Sequence, residues 1–222
     1  MEGLAERLEE VDSRIRESAR KAGRLPGELT RIVVTKFQPL ALVEALRVLG
    51  VRDFGESRHQ EARDKAASVG GEVTWHFIGQ LQGKKARQVR EYANVIHSID
   101  RASLVDSLAS DVAATQVFAQ INLTDDADRG GVAPSELLPL VEAILAAPGL
   151  ELLGVMAIPP IDEEPSSAYE RLRTLSEQTR TIAPDATAIS AGMSGDFCEA
   201  VENGATHLRI GSAITGERAE RG

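Results

Sequence analysis

The chain has 222 residues, 42% hydrophobic and 27% charged, with a formal net charge of −9. That length supports one large domain or two small ones and can bury a sizeable core. The negative balance excludes a broad basic field for nucleic-acid backbones or anionic membranes, and the single cysteine, Cys198, excludes an internal disulfide.

The amino terminus, Met1 to Arg7, is charged and has no apolar signal-peptide core. No apolar run approaches the roughly 18 residues of a membrane helix. The expectation is a cytoplasmic protein with neither a nucleic-acid nor a membrane partner. Residues 4–22 predict a charged amphipathic helix with Leu4, Leu8, Val11 and Ile15 on one face. Short apolar runs at 31–35, 51–55, 74–79, 95–99, 117–122, 150–158, 186–191 and 207–211 then read as strands, most of them β-branched or aromatic. Helical patterns lie between them. Leu42, Val43, Leu46 and Leu49 form one, and Leu137, Leu138, Val141, Ile144 and Leu145 another, with Ser135 as its expected cap. Lys84-Lys85-Ala86-Arg87 reads as solvated helix surface. The Pro- and acid-rich residues 159–167 read as a surface excursion, not a linker. About ten residues follow the last strand, which is short for a packed helix. The amino-terminal helix is expected to cover the surface left there.

Strands alternating with helices predict an α/β fold with a parallel sheet, either a closed barrel or an open doubly wound sheet. The length suits a TIM-type (β/α)8 barrel with an extra amino-terminal helix, one domain over residues 1–222. No Gly-x-Gly-x-x-Gly follows an early strand, which weighs against dinucleotide binding. The four histidines, His59, His76, His97 and His207, are scattered and make no metal-spacing motif.

A barrel gathers its chemistry at the carboxyl ends of its strands. Lys36 closes the first run, where burial would favour a neutral, nucleophilic amine; the alternative is a lysine reaching solvent. Arg209 lies between Leu208 and Ile210, with Glu56 as a structural partner or a pyridine nitrogen as a functional one. Gly211 and Ser212 follow it, with close backbone approach and a hydroxyl. Ser194, in Gly192-Met193-Ser194-Gly195, is either an anion-binding group or the cap of the next helix. His76 stands among Trp75, Phe77 and Ile78, as a core histidine or a cofactor contact. Cys198 reads as a packing residue. An amine, a guanidinium and a phosphate-sized pocket are what pyridoxal phosphate needs.

These segments resemble the pyridoxal phosphate homeostasis family (YggS-like, or PROSC) from about Leu4 to Arg218. The matching stretches include Val34-Thr35-Lys36, Phe54-Gly55-Glu56-Ser57-Arg58 with Lys65, and Trp75-His76-Phe77-Ile78-Gly79. They continue with His97-Ser98-Ile99-Asp100, Gly192-Met193-Ser194 and Arg209-Ile210-Gly211-Ser212, and include Arg218. The resemblance implies a fold-type III barrel like the amino-terminal domain of alanine racemase. It implies a Schiff base on Lys36, Arg209 near the ring nitrogen, and phosphate held by Ser194, Gly211 and Ser212, with Ser57, His76 and Met193 also at the cofactor. Ser57 stands where the family usually has asparagine. The implied function is a cofactor carrier or buffer in pyridoxal 5'-phosphate homeostasis, a monomer or weak homodimer, with apo pyridoxal phosphate enzymes as partners. The competing reading is a one-domain racemase. Racemisation needs a second base facing Lys36, and the only tyrosines, Tyr92 and Tyr169, fall in helical patterns.

Overall fold

A computed structural model describes residues 3–126 and 128–216, so Arg218 lies outside the described residues. Eight strands form a closed parallel barrel in chain order: β1 (Thr30–Val34), β2 (Asp53–Glu56), β3 (Thr74–Phe77), β4 (Val95–Ile99), β5 (Thr115–Ile121), β6 (Leu150–Ala157), β7 (Ala188–Ser190) and β8 (His207–Ile210). The barrel, not the open sheet, is therefore the fold. Each apolar run predicted as a strand contributes one. The second, third and seventh differ most from expectation, because residues 51–52, 78–79, 186–187 and 191 lie outside the ladders.

The strands read as nearly continuous apolar runs because both faces are buried. One face meets the helices, where Val33, Phe54 and Val117 join the main core. The other fills the barrel, where Val95, Phe118 and Met156 form a separate inner cluster. β8 closes on β1 with Arg31 opposite Leu208 and Ile32 opposite Arg209. The first and last strands are thereby neighbours, and the segments carrying Lys36 and Arg209 lie side by side.

The amino-terminal helix α1 (Leu4–Lys21) buries Leu4, Leu8, Val11, Ile15 and Ala19. It packs on α8 (Phe197–Glu202) and on α9 (Ser212–Thr215), the single turn that follows β8. Arg7 Nε donates to the Ile214 carbonyl at 2.8 Å, tying the first helix to the last. The expected covering role of this helix holds. Between β1 and β3 lie α2 (Leu40–Val48) and α3 (His59–Ser68). The helix after β5 starts differently from expectation. Pro134–Glu136 forms a 3₁₀ turn, Glu136 occupies the cap position of α6 (Leu137–Ala146), and Ser135 makes no capping bond. The acid-rich excursion is shorter than expected, since α7 (Pro165–Arg180) begins within it, with proline in its first turn. Cys198 packs against the core from α8. Among the described residues no helix is long and apolar enough to cross a membrane. No cluster of three metal-ligating side chains occurs among them.

Candidate functional site

A cleft of 380 Å³ opens at the carboxyl ends of the strands, within the roughly 300–1,000 Å³ of small-molecule sites. Its walls are apolar: Val34 and Ile78 on one side, Ile158 and Met193 on the other. Lys36, Arg209 and Ser57 line it, with Ser194, Gly195, Gly211 and Ser212 at one end. Seven of the eight predicted site residues are thus brought together. The eighth, His76, is not: it lies inside the barrel, buried, bonded to Asp53 and His97.

Lys36 stands two residues past the end of β1 and is exposed, as in the solvent-reaching alternative and not the buried one. Its backbone, in contrast, is held on both sides. Lys65 Nζ, from α3, donates to the Thr35 carbonyl, to Glu56 Oε1 and to Glu61 Oε1, each at 2.7 Å. Thr35 Oγ1 donates to Glu56 Oε1 at 2.7 Å, and the Phe37 amide donates to Glu61 Oε1 at 2.6 Å. Phe37 has a φ of 65°, the left-handed region that a bulky side chain rarely adopts. The Glu61 bond to its amide holds that turn. Burial raises the Glu56 carboxyl above its ordinary value, against the opposing pull of Lys65 and Thr35. Glu56 therefore belongs to this hub and is not the partner of Arg209.

Arg209 is 4% exposed and makes no ion pair with a carboxylate among the described residues. Nη1 donates to Ser190 Oγ at 2.7 Å and Nη2 to the Ala157 carbonyl at 3.0 Å. Burial lowers its pKa to about 10, with Tyr169 and Asp196 opposing, so it stays charged at neutral pH. The guanidinium keeps other donors for the cleft it lines.

Ser194 does not cap the helix that follows it. Asp196 takes the cap position of α8, and its Oδ1 accepts from the Met193 amide at 2.6 Å. Ser194 Oγ instead accepts from the amides of Gly211 and Ala213, at 3.3 and 3.2 Å. A serine from one loop thus sits on two backbone donors of the next. Ser57 is placed by Gly79: an added Cβ there would lie 2.1 Å from the Ser57 carbonyl oxygen, so only glycine lets these two chains touch. Tyr92 and Tyr169 line no part of the cleft. Tyr169 is buried in α7, and burial followed by the Asp196 charge pushes its phenol up.

Sequence reading missed two groups. The first is the support of Lys36 by Lys65, whose i,i+4 pairing with Glu61 is visible in sequence but whose bond to Glu56 is not. The second is the convergence of His76, His97 and His207 inside the barrel, with ring centroids 5.2 to 6.5 Å apart.

The donor set tests the cofactor expectation. An amine, a buried guanidinium and a hydroxyl-and-amide end, set between aliphatic walls, fit a phosphorylated aromatic aldehyde. Fold and cleft together define a class, the parallel barrel with a lysine just past the first strand and an arginine on the adjoining last one. The family described as the N-terminal domain of alanine racemase matches residues 7–219. The pyridoxal phosphate homeostasis protein of Mycobacterium tuberculosis is 37% identical, over 98% of this chain and 94% of its own. That of Pseudomonas aeruginosa is 36% identical, over 98% and 97%. The chain belongs to the pyridoxal phosphate homeostasis protein family. Among solved structures, PipY of Synechococcus elongatus superposes with TM-scores of 0.83 without PLP and 0.82 with PLP bound. Each is 30% identical over 96% of this chain and 100% of that one. Alanine racemase from Corynebacterium glutamicum shares the fold at a TM-score of 0.73 and 16% identity, over 96% of this chain and 62% of that one.

Proposed function

We propose that this protein binds pyridoxal 5'-phosphate and serves its homeostasis as a carrier or buffer, without turning over a substrate of its own. When bound, the cofactor supplies an aldehyde that condenses reversibly with amines, losing water. Lys36 provides the amine that holds it covalently. Arg209 would face the ring nitrogen; a guanidinium only donates and cannot accept from a pyridinium N–H, so that nitrogen would stay unprotonated. Ser194, Gly211 and Ser212 hold the phosphate, with Ser57 and Met193 flanking the ring. The chain acts as a single unit over residues 1–222, as a monomer or weak homodimer in the cytoplasm, and hands the cofactor to apo-enzymes that need it.

The observation that carries this reading is the meeting of Lys36, Arg209 and the Ser194–Gly211 end in one cleft. The lining also bears on the enzyme alternative. Two-base chemistry at a substrate carbon needs an acid or base opposite the lysine. Apart from Lys36 and Arg209, the cleft is lined by aliphatic residues, methionine, glycines and serines.

The test is the visible spectrum of protein loaded with pyridoxal phosphate, before and after borohydride, followed by peptide mapping. A reducible absorbance that ends as a stable adduct on Lys36, and is absent from Lys36→Ala, is the expected result. An adduct on another lysine, with Lys36 unmodified, would sink the assignment.

A further inference from the structure

Beneath the cleft, a single file of hydrogen bonds runs through the barrel from Arg209 to the opposite mouth. Arg209 Nη1 is 2.7 Å from Ser190 Oγ, which is 2.7 Å from His97 Nδ1. His97 Nε2 is 2.9 Å from His76 Nδ1, and His76 Nε2 is 3.1 Å from Asp53 Oδ1. The five residues come from β8, β7, β4, β3 and β2. Ser190, His97 and His76 are buried, whereas the Asp53 side chain is 30% exposed. Asp53 lines a cavity of 530 Å³ at the amino-terminal ends of the strands, together with Arg31 and Arg52.

Chemistry fixes the direction of this file. A guanidinium only donates, so Ser190 Oγ accepts from Arg209 and has its own hydrogen for His97 Nδ1. His97 is held neutral, its pKa pushed well below the ordinary value by burial first, then by His76, Arg209 and His207. A neutral imidazole that accepts at Nδ1 carries its proton at Nε2, and donates it to His76 Nδ1. His76 then donates from Nε2 to the Asp53 carboxylate, which only accepts. The opposite direction leaves His76 Nε2 facing a carboxylate with no proton, or requires a buried imidazolium. Other groups packed on the file do not disturb it. Phe118 of β5 stacks on His97 with centroids 4.5 Å apart. His207 of β8 is neutral at ordinary pH, its pKa lowered to about 4 chiefly by burial. Tyr169 of α7 and Asp196 also act on Arg209, raising its pKa against burial.

We propose that Ser190, His97, His76 and Asp53 are positioning residues that lock Arg209 as a donor towards the cofactor's ring nitrogen, coupling the cleft to a carboxylate at the far mouth. A buried cation without a carboxylate against it is costly. A file of aligned donors, each polarising the next and ending on a negative charge, offsets that cost without putting an acid beside the ring. The role rests on the pyridoxal phosphate reading, but the polarity of the file does not.

Two measurements separate them. In the cofactor-free protein, imidazole nitrogen shifts by NMR should show His97 as the Nε2–H tautomer and a proton on His76 Nε2. An Nδ1–H tautomer at either would overturn the file. In loaded protein, Asp53→Asn should weaken pyridoxal phosphate binding about five-fold, within the range for coupled neighbours. The same change should have no effect once Ser190→Ala has cut the file, with His97→Leu as the alternative cut if that variant does not fold. No effect of Asp53→Asn in the parent, or an equal effect in both backgrounds, would overturn the coupling. Failure of the parent to take up pyridoxal phosphate would refute the role at the ring and the proposed function together, while leaving the tautomer measurement to decide the file.

Discussion

Replacing Lys65 by methionine keeps a side chain of similar size and removes the charge from a buried hub. Three bonds of 2.7 Å are lost together. Glu61 is partly exposed and keeps the Phe37 amide, but Glu56 is 1% exposed and keeps only the Thr35 hydroxyl. Removing one partner of a buried ion pair costs about 3–5 kcal/mol. Proton uptake by Glu56 is the escape route, and it sets the scale. Protonating a carboxyl of ordinary pKa, about 4.3, costs about 3.7 kcal/mol at pH 7 and about 1 kcal/mol at pH 5. The sign follows from linkage. Burial already raises Glu56 above its unfolded value, and losing Lys65 raises it further. A carboxyl raised in the folded state binds more protons there. Its contribution therefore falls as pH rises from the unfolded pKa through the folded one. Urea unfolding of parent and Lys65→Met at pH 5, 6 and 7 measures the difference. The expected deficit is close to 4 kcal/mol at pH 7, shrinking towards about 1 kcal/mol at pH 5. A deficit below about 1 kcal/mol at pH 7, or one that does not change with pH, would refute the buried-hub account.

Gly79→Ala should destabilise by about 3 kcal/mol or more, because its Cβ would meet the Ser57 carbonyl at 2.1 Å. Gly195→Ala, with open space around the added carbon, should melt near the parent, and thermal unfolding compares the two. Ser194→Asp should weaken pyridoxal phosphate far more than pyridoxal, since a carboxylate would take the Gly211 and Ala213 amides and repel phosphate. Equal loss in binding titrations of both ligands would mean the serine serves only to join the loops. Loaded protein should racemise, transaminate or decarboxylate common amino acids no faster than free cofactor, and should restore activity to an apo-enzyme in a coupled assay. Robust turnover that disappears in Lys36→Ala would reinstate the enzyme reading.

The barrel was legible because each parallel strand is buried on two faces and so writes an apolar run into the sequence. Closure of the first strand on the last made the pairing of Lys36 with Arg209 legible too. What escaped depends on register and distance. His76, His97 and His207 converge only because β3, β4 and β8 turn those positions inward, a parity that pairing fixes and sequence does not. Ser190 looks like any small residue at the end of a short strand until Arg209 meets it. The local alternative for Ser194, a helix cap, fails because its bonds reach residues 17 and 19 positions away. Lys36 read as either buried or reaching solvent, because an apolar run leads to it. The ladder stops at Val34, and the next two residues already belong to the mouth.

That placement of Lys36 separates two properties a carrier needs. The peptide units on either side of the lysine are fixed, one through the Thr35 carbonyl on Lys65 and the other through the Phe37 amide on Glu61. The long side chain is exposed and flexible. A catalytic lysine that shuttles protons across a substrate gains from an enclosed site with a second base. This lysine has a rigid root, an open mouth and no opposing base among the residues lining the cleft. Arg209, by contrast, is fixed deep in the barrel and does not move with it. One end of the ring would thus be held by a stationary donor, while the other is held by an amine that solvent or an incoming amine can reach. On the proposed carrier reading, such a site would favour taking and returning a cofactor over reacting with it.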